Sequence, residues 1–357
     1  MKKILKEIKS LFIILIIALS LRATIVEAYI VPTGSMENTI MTGDFLIGNK
    51  FVYGMRTPDW IGIPYTDIGF DIPWTRFPSY KKIEKGDVTI FKYPRDNFQK
   101  YVKRCVGDPG DTVLIDNKDL YINNEIYPLS NNGKFIQKEI LPKNIEDPEI
   151  FIGNNWNKDN MGPIIIPSKN DLIDIHENTD WKFLIPLIIM DGNKVSLKME
   201  NRSNEFLFTI KDPNDIARRY LSFSSSSFGK ILSPLFFLFT IITFSKSPEQ
   251  KVQNLFNKYY SNTNKNGYLL NPWNFKFDSS INDYLYINDI PVSKINSYKV
   301  EQNYYWMMGD NRDDSADSRY WGFVPERLIL GEAIIAYFSL NFNVGLPRFD
   351  RIGKLIL

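Results

Sequence analysis

Few side chains in this sequence could do nucleophilic chemistry, and their scarcity narrows the choices. The stretch Pro32-Thr33-Gly34-Ser35-Met36-Glu37-Asn38-Thr39 places one hydroxyl between a Gly and a Met, just beyond an N-terminal apolar segment. Turn formers on either side would hold Ser35 clear of a regular ladder, although a Gly-Ser pair alone is no more than a turn. The 357 residues contain a single His, His176, and a single Cys, Cys105. A metal site built from His and Cys clusters is therefore excluded, as is an intramolecular disulfide. A Ser-His-Asp triad would rest entirely on His176, which lies in the unpatterned stretch Leu172-Ile173-Asp174-Ile175-His176-Glu177 and reads as a solvated loop residue. If Ser35 is a nucleophile, its base is another group, and lysine is the candidate.

Lys103 is the lysine to weigh. It lies in Tyr101-Val102-Lys103-Arg104-Cys105-Val106-Gly107-Asp108-Pro109-Gly110-Asp111, whose first half alternates like a strand. A protonated amine cannot act as a base, whereas burial against apolar side chains disfavours the charge and lowers the pKa. On the residues alone, an exposed solubilising charge is the usual reading of an isolated strand lysine. Cys105, in the same run, reads as a buried structural thiol.

A third stretch decides between these readings: Gly309-Asp310-Asn311-Arg312-Asp313-Asp314-Ser315-Ala316-Asp317-Ser318-Arg319-Tyr320-Trp321-Gly322-Phe323-Val324-Pro325. In this order the three stretches resemble the boxes of type I signal peptidases, membrane-bound Ser-Lys proteases that remove secretory leader peptides. The resemblance covers about Leu11–Ile122 and Tyr298–Arg351. It implies Ser35 as nucleophile and Lys103 as general base, with the Ser35 N–H and the Thr33 hydroxyl as oxyanion donors. It further implies that Ser315 orients the lysine amine, that Asp310 pairs with Arg104, and that Asp317 pairs with Arg319. For these charges, and for Arg312, a plain supporting role is the simplest reading. Thr33 stands where the family often has Ser, which keeps the hydroxyl but restricts its rotamer. Asp108 departs from the apolar residue usual before Pro109-Gly110-Asp111, a change expected to alter a loop and spare the chemistry.

The elements that must position these residues can be read in outline. After Met1-Lys2-Lys3-Ile4-Leu5-Lys6-Glu7-Ile8-Lys9 comes an uncharged run, Ser10 to Leu21. It suits either a cleavable leader or an uncleaved anchor. The resemblance favours the anchor, and the lysines before the run put residues 1–9 in the cytoplasm and the rest outside. This gives a tail at 1–9, a transmembrane anchor at 10–22, and a catalytic core at 23–125 and 298–357. Short strands are expected at Thr24 to Val31, Gly43 to Phe51, Gly86 to Phe91, Lys100 to Val106, Thr112 to Ile115, Leu120 to Ile122 and Glu332 to Leu340. A Pro- and aromatic-rich loop lies at about Thr57 to Ser79. The fold class is mainly β: an all-β catalytic core of the signal-peptidase type, one N-terminal transmembrane helix, and a large α/β or irregular insertion at 126–297. Within the insertion, the apolar run Ile231 to Phe244 suits either a buried element or a segment dipping into the membrane interface.

Net charge is +2, with no sign of a nucleic-acid binder. No cofactor is expected. The partners implied are leader peptides of secreted preproteins, the lipid bilayer of a bacterial cytoplasmic membrane and the secretion translocon. An extended peptide would lie between the strand before Ser35 and the strand carrying Lys103. By the resemblance, shallow apolar pockets involving Val31, Pro32, Met36 and Val102 would accept small residues, as in Ala-x-Ala sites. Three rivals fare worse. The Ser-x-x-Lys matches Ser79-Tyr80-Lys81-Lys82 and Ser227-Phe228-Gly229-Lys230 lack the companion motifs of a penicillin-binding enzyme. A self-cleaving repressor would carry a DNA-binding domain where the apolar segment stands. A membrane-tethered β-rich scaffold without activity has no use for Ser35, Lys103 and Ser315 together.

Overall fold

The computed structural model describes residues 2–62, 69–151, 156–198, 205–211, 214–215, 269–278, 280–342 and 344–356. The segment Ile231–Phe244, expected to be buried or interfacial, lies outside the described residues, as does Ser227.

Chain order begins with helix α1 (Lys2–Thr24), followed by strands β1 (Val26–Ile30), β2 (Asp44–Asn49), β3 (Val88–Tyr93), β4 (Asp96–Gly107), β5 (Thr112–Asp116) and β6 (Asp119–Ile122). After these come β7 (Met161–Ile165), α2 (Trp181–Met190), β8 (Val195–Lys198), β9 (Glu205–Phe208), β10 (Leu285–Ile287), β11 (Tyr304–Met308), α3 (Ser318–Trp321) and β12 (Ile329–Asn341). The main sheet has nine strands along the path β1-β2-β12-β3-β4-β11 and on to Val324–Pro325, with two short C-terminal strands on β12. The strand before Ser35, the strand carrying Lys103 and the paired strands between them form as expected.

Local sequence accounts for these elements. All but Lys92 of Val88-Thr89-Ile90-Phe91-Lys92-Tyr93 are buried in β3, the pattern of a strand covered on both faces. β5 and β6 are joined by Asn117 and Lys118, both at positive φ (53° and 74°). A two-residue hairpin asks for that backbone, and Asn tolerates it. β12 pairs with both β2 and β3, and irregularities in each register bend it.

The sheet path leaves a slot. Among the described residues β1 pairs only with β2, and the first half of β4, from Asp96 to Lys103, pairs only with β3. These two open edges approach each other, because Lys100 Nζ on β4 reaches Glu27 Oε1 on β1 at 2.7 Å.

The described parts of 126–297 make several contacts with the core. β7 pairs with β5, Leu172–Asp174 pairs with Ser297–Lys299, and β8, β9 and β10 belong to a five-stranded sheet. Trp181, Leu184, Ile185 and Ile188 of α2 share one hydrophobic cluster with Val106 and Val113, and with Tyr304, Trp306 and Phe323 of the core. Asp191, at the end of α2, accepts hydrogen bonds from Tyr298 Oη at 2.7 Å and Tyr304 Oη at 2.6 Å. Of the region expected as an insertion, α2 packs against the core beside β11.

The anchor expected at 10–22 lies within α1. Among the described residues, no helix is long and apolar enough to cross a membrane. The uncharged run Ser10–Leu21 has 12 residues, about 18 Å of helix against the roughly 30 Å of a bilayer core. Leu11, Phe12, Ile14 and Ile17 of α1 are nevertheless exposed.

Candidate active site

β1 hands the chain to Ser35 through a short extension of its pairing. Val31 N donates to Asp44 O at 2.9 Å, and Gly43 N donates to Val31 O at 2.8 Å. Glu37 N to Gly34 O (2.9 Å) and Ile40 N to Met36 O (2.7 Å) then fold 34–40 into a tight turn with Ser35 near its start. The third box clamps this turn. Asn311 donates from its backbone to Ser35 O and from Nδ2 to Gly34 O, each at 3.1 Å. Gly309 has to be glycine, because a Cβ there would fall 2.5 Å from Ser35 O and 2.3 Å from Ser315 Oγ.

Lys103 faces Ser35 from β4. Its amine lies 2.5 Å from Ser35 Oγ, and the two residues are 4% and 8% exposed. Tyr101, two residues earlier on the same face of β4, presents its ring centroid 5.7 Å from the amine. No carboxylate lies within ion-pair distance of Lys103 among the described residues. Burial is the largest influence and pulls the amine down to about 8, with Asp317 opposing it and Arg319 adding to it. A hydroxyl against an amine so poised can pass its proton to nitrogen and attack an electrophile.

Both expected ion pairs form. Arg104 grips Asp310 with two bonds, Nε to Oδ1 at 2.9 Å and Nη2 to Oδ2 at 2.8 Å. Burial opposes the Arg104 charge, but the Asp310 pair outweighs it and raises its pKa. Arg319 likewise grips Asp317 through Nε and Nη2, each at 2.9 Å. Asp317 Oδ2 also serves the backbone, accepting from Gly309 N at 3.1 Å. Each pair thus ties a carboxylate to the strand or loop that borders the Ser35–Lys103 contact.

Other expected residues sit in different surroundings. Ser315 Oγ is buried beside Gly309 and, among the described residues, makes no hydrogen bond. The hydrogen-bonding neighbour of the Lys103 amine is Ser35. Met36 is fully buried and Val31 is 4% exposed, both in a core cluster with Ile40, Leu46 and Ile90. They support the site from beneath, since the tight turn rolls Met36 inward. Pro32 is exposed and Val102 half-buried, so these two can line an open pocket. Thr33 is exposed, and neither its hydroxyl nor the Ser35 N–H is engaged by another described residue.

Four residues of the site carry no distinguishing signal in the sequence. Thr39 donates from its hydroxyl to Asp310 Oδ2 at 2.5 Å. Asp44 pairs with Arg351 at 2.6 Å, and the same arginine donates to Thr39 O at 3.1 Å. Lys134, far from the boxes in sequence, donates its backbone N–H to Asp310 O and accepts from Arg312 N, each at 2.9 Å. His176 is exposed and accepts from Asn178 N at 3.1 Å, away from any of these groups. Cys105 is buried and free, and burial raises its thiol pKa. Lys81, in the rival Ser-x-x-Lys stretch, is committed to Asp87 at 2.5 Å.

Comparison with known proteins gives the family. The family model described as signal peptidase, peptidase S26, matches residues 4–170 and 249–338. This chain belongs to that signal peptidase family, a family of serine peptidases. The match runs past Ile122 to residue 170, in keeping with β7 pairing onto the core. Signal peptidase I of Buchnera aphidicola subsp. Baizongia pistaciae (strain Bp) is 26% identical over 99% of this chain and 84% of its own length. That of Buchnera aphidicola subsp. Schizaphis graminum (strain Sg) is 28% identical over 98% and 81%. Signal peptidase I of Pseudomonas aeruginosa is 41% identical over a shorter span, 33% of this chain and 37% of its own. The protein is accordingly an enzyme, a serine protease that cleaves signal peptides.

Proposed function

We propose that the chain is a membrane-tethered endopeptidase that removes N-terminal leaders from exported proteins after small residues, with Ser35 as nucleophile and neutral Lys103 as general base. The observation that carries this reading is the buried 2.5 Å contact between Lys103 Nζ and Ser35 Oγ, with the lysine drawn down to about 8 and no carboxylate paired to it among the described residues. About one lysine in ten would then be neutral at pH 7.

The reaction proceeds in two halves. Ser35 Oγ gives its proton to Lys103 Nζ while forming a bond to the scissile carbonyl carbon, and the carbonyl oxygen takes up the negative charge. The Ser35 N–H and the Thr33 hydroxyl, neither engaged by another described residue, would donate to that oxygen. Collapse of the intermediate breaks the C–N bond, and the leaving amine takes the proton from Lys103. Water then attacks the ester, passing its proton to the again-neutral lysine, and Ser35 is regenerated as the leader leaves with a new carboxylate. Asp310 and Asp317, held by their arginines, keep the surrounding loops in register and do not touch the substrate.

The slot between β1 and the first half of β4 suits an extended peptide, which would pair with both open strand edges. Pro32 and Val102 offer a small apolar surface beside Ser35, consistent with Ala-x-Ala sites. The exposed Leu11, Phe12, Ile14 and Ile17 of α1 support insertion into a bacterial cytoplasmic membrane with residues 1–9 inside. Lys6 and Lys9 would snorkel at the cytoplasmic end of the short uncharged run. The test is conversion of a leader-bearing preprotein to its mature length by the full chain in vesicles. Cleavage by wild type and none by Ser35→Ala supports the reading; equal cleavage by both refutes it. Vesicle flotation of the full chain, lost when residues 1–22 are removed, tests the tether.

A further inference from the structure

The rim of the site beside Gly34, past the end of β1, is acidic, and one of its charges is uncompensated. If a Cβ were present at Gly34, it would lie 3.5 Å from Asp314 Oδ2, 3.9 Å from Thr42 Oγ1 and 4.0 Å from Glu37 Oε2. Two carboxylates therefore converge on the residue next to Ser35, with only a glycine hydrogen between them and the backbone. Their circumstances differ. Glu37 is neutralised by Lys134 at 2.6 Å. Asp314 is exposed, and among the described residues its carboxylate has neither an ion pair nor a hydrogen bond. Its neighbour Asp313 shows that this is a property of the position: Asp313 turns inward, accepts from Ile136 N and Gln137 N at 2.8 Å each, and pairs with Lys158.

This inference rests on the proposed Ser35 chemistry. The leader side of the substrate takes the slot along β1, which enters Ser35 through Val31. The residues after the cut then run beyond the end of β1, over the 34–43 turn, whose Gly34 borders the Asp314 carboxylate. Neighbouring Cα atoms are about 3.8 Å apart, and a strand advances about 3.4 Å per residue. The Asp314 carboxylate is thus within reach of the first two residues after the scissile bond. We infer that Asp314 is a specificity-determining residue on the mature-protein side of the cut, favouring basic and disfavouring acidic residues in the two positions after it. Its charge also bears on Lys103. Around the amine lie Asp317, Asp310 and Asp314, which favour the protonated form, and Arg319, which opposes it. Asp314 is the exposed member of that set, and the one a substrate side chain could neutralise.

The test uses the full chain and three preproteins identical except for the two residues after the cut: Ala-Ala, Lys-Lys and Glu-Glu. Exposed charge pairs are weak, so wild-type kcat/KM should rank Lys-Lys above Ala-Ala above Glu-Glu with steps of about threefold. The spread should shrink as salt is raised. Asp314→Asn should bring the three values together, and Asp314→Glu should preserve their order. Three equal values in wild type, or a spread retained in Asp314→Asn, would overturn the inference while leaving the Ser35 reading intact. Failure of wild type to cut even Ala-Ala would overturn both.

Discussion

Lys103 and Arg104 are neighbours on one strand, both buried cations, and the protein treats them in opposite ways. Arg104 points to Asp310, which meets it with two bonds and accepts a third from Thr39, so its charge is matched and held. Lys103, on the other face of the same strand, has no carboxylate partner among the described residues, a tyrosine ring on one side and a serine hydroxyl in front. Burial acts on both, but only at Lys103 does it prevail. The difference shows that a low-pKa amine needs withheld partners as much as burial, and that alternation along a strand can deliver both environments one residue apart.

Breaking either side of this comparison should have distinct consequences. The largest effect is on rate: Ser35→Ala and Lys103→Met should each abolish leader cleavage, by more than about a thousandfold, in a preprotein conversion assay. Near-normal cleavage by the Lys103→Met protein would mean that the base lies elsewhere. Arg104→Ala should instead cost stability, about 3–5 kcal/mol, because it strands the buried Asp310 carboxylate. Denaturant unfolding of the wild type and the variant measures this, and an unchanged midpoint would show that the pair is dispensable.

The third effect is smaller and of opposite sign. Lys103→Met removes a cation that the fold disfavours, so the variant should be more stable than wild type at pH 7, by up to about 3 kcal/mol. The folded amine titrates near 8 and the unfolded one near 10.4. Between those values the unfolded state binds more protons, so wild-type stability rises with pH and the gap to Lys103→Met narrows. Unfolding midpoints compared at pH 7 and pH 10 would test this, and a gap that widens with pH would contradict it.

How much of this is legible in the sequence depends on the range of each interaction. The β4 alternation is local, and so is the placement of Lys103 and Arg104 on opposite faces. The Asp310–Arg104 and Asp317–Arg319 pairs are legible through the resemblance. Contacts that join distant segments are not. Thr39 meets Asp310 across 271 residues, and Arg351 meets Asp44 across 307. No composition signal marks such partners. The continuity of α2 with the core is hidden for the same reason, because a helix's apolar face does not say which surface it covers. Met36 is expected as a pocket wall only through the resemblance, whereas the turn directs it into the core. Ser315 is expected to touch the amine, but placing a hydroxyl within bonding distance depends on a rotamer that sequence does not determine.

The central claim is that Lys103, its amine drawn down by burial and withheld partners, is the base that activates Ser35. The pH dependence of kcat/KM on a leader-bearing preprotein tests it most directly, because the free-enzyme base sets the rising limb. The account predicts a limb centred near 8, unmoved in His176→Gln. A limb near the free-lysine value of about 10.4, or one that vanishes with His176, would contradict it.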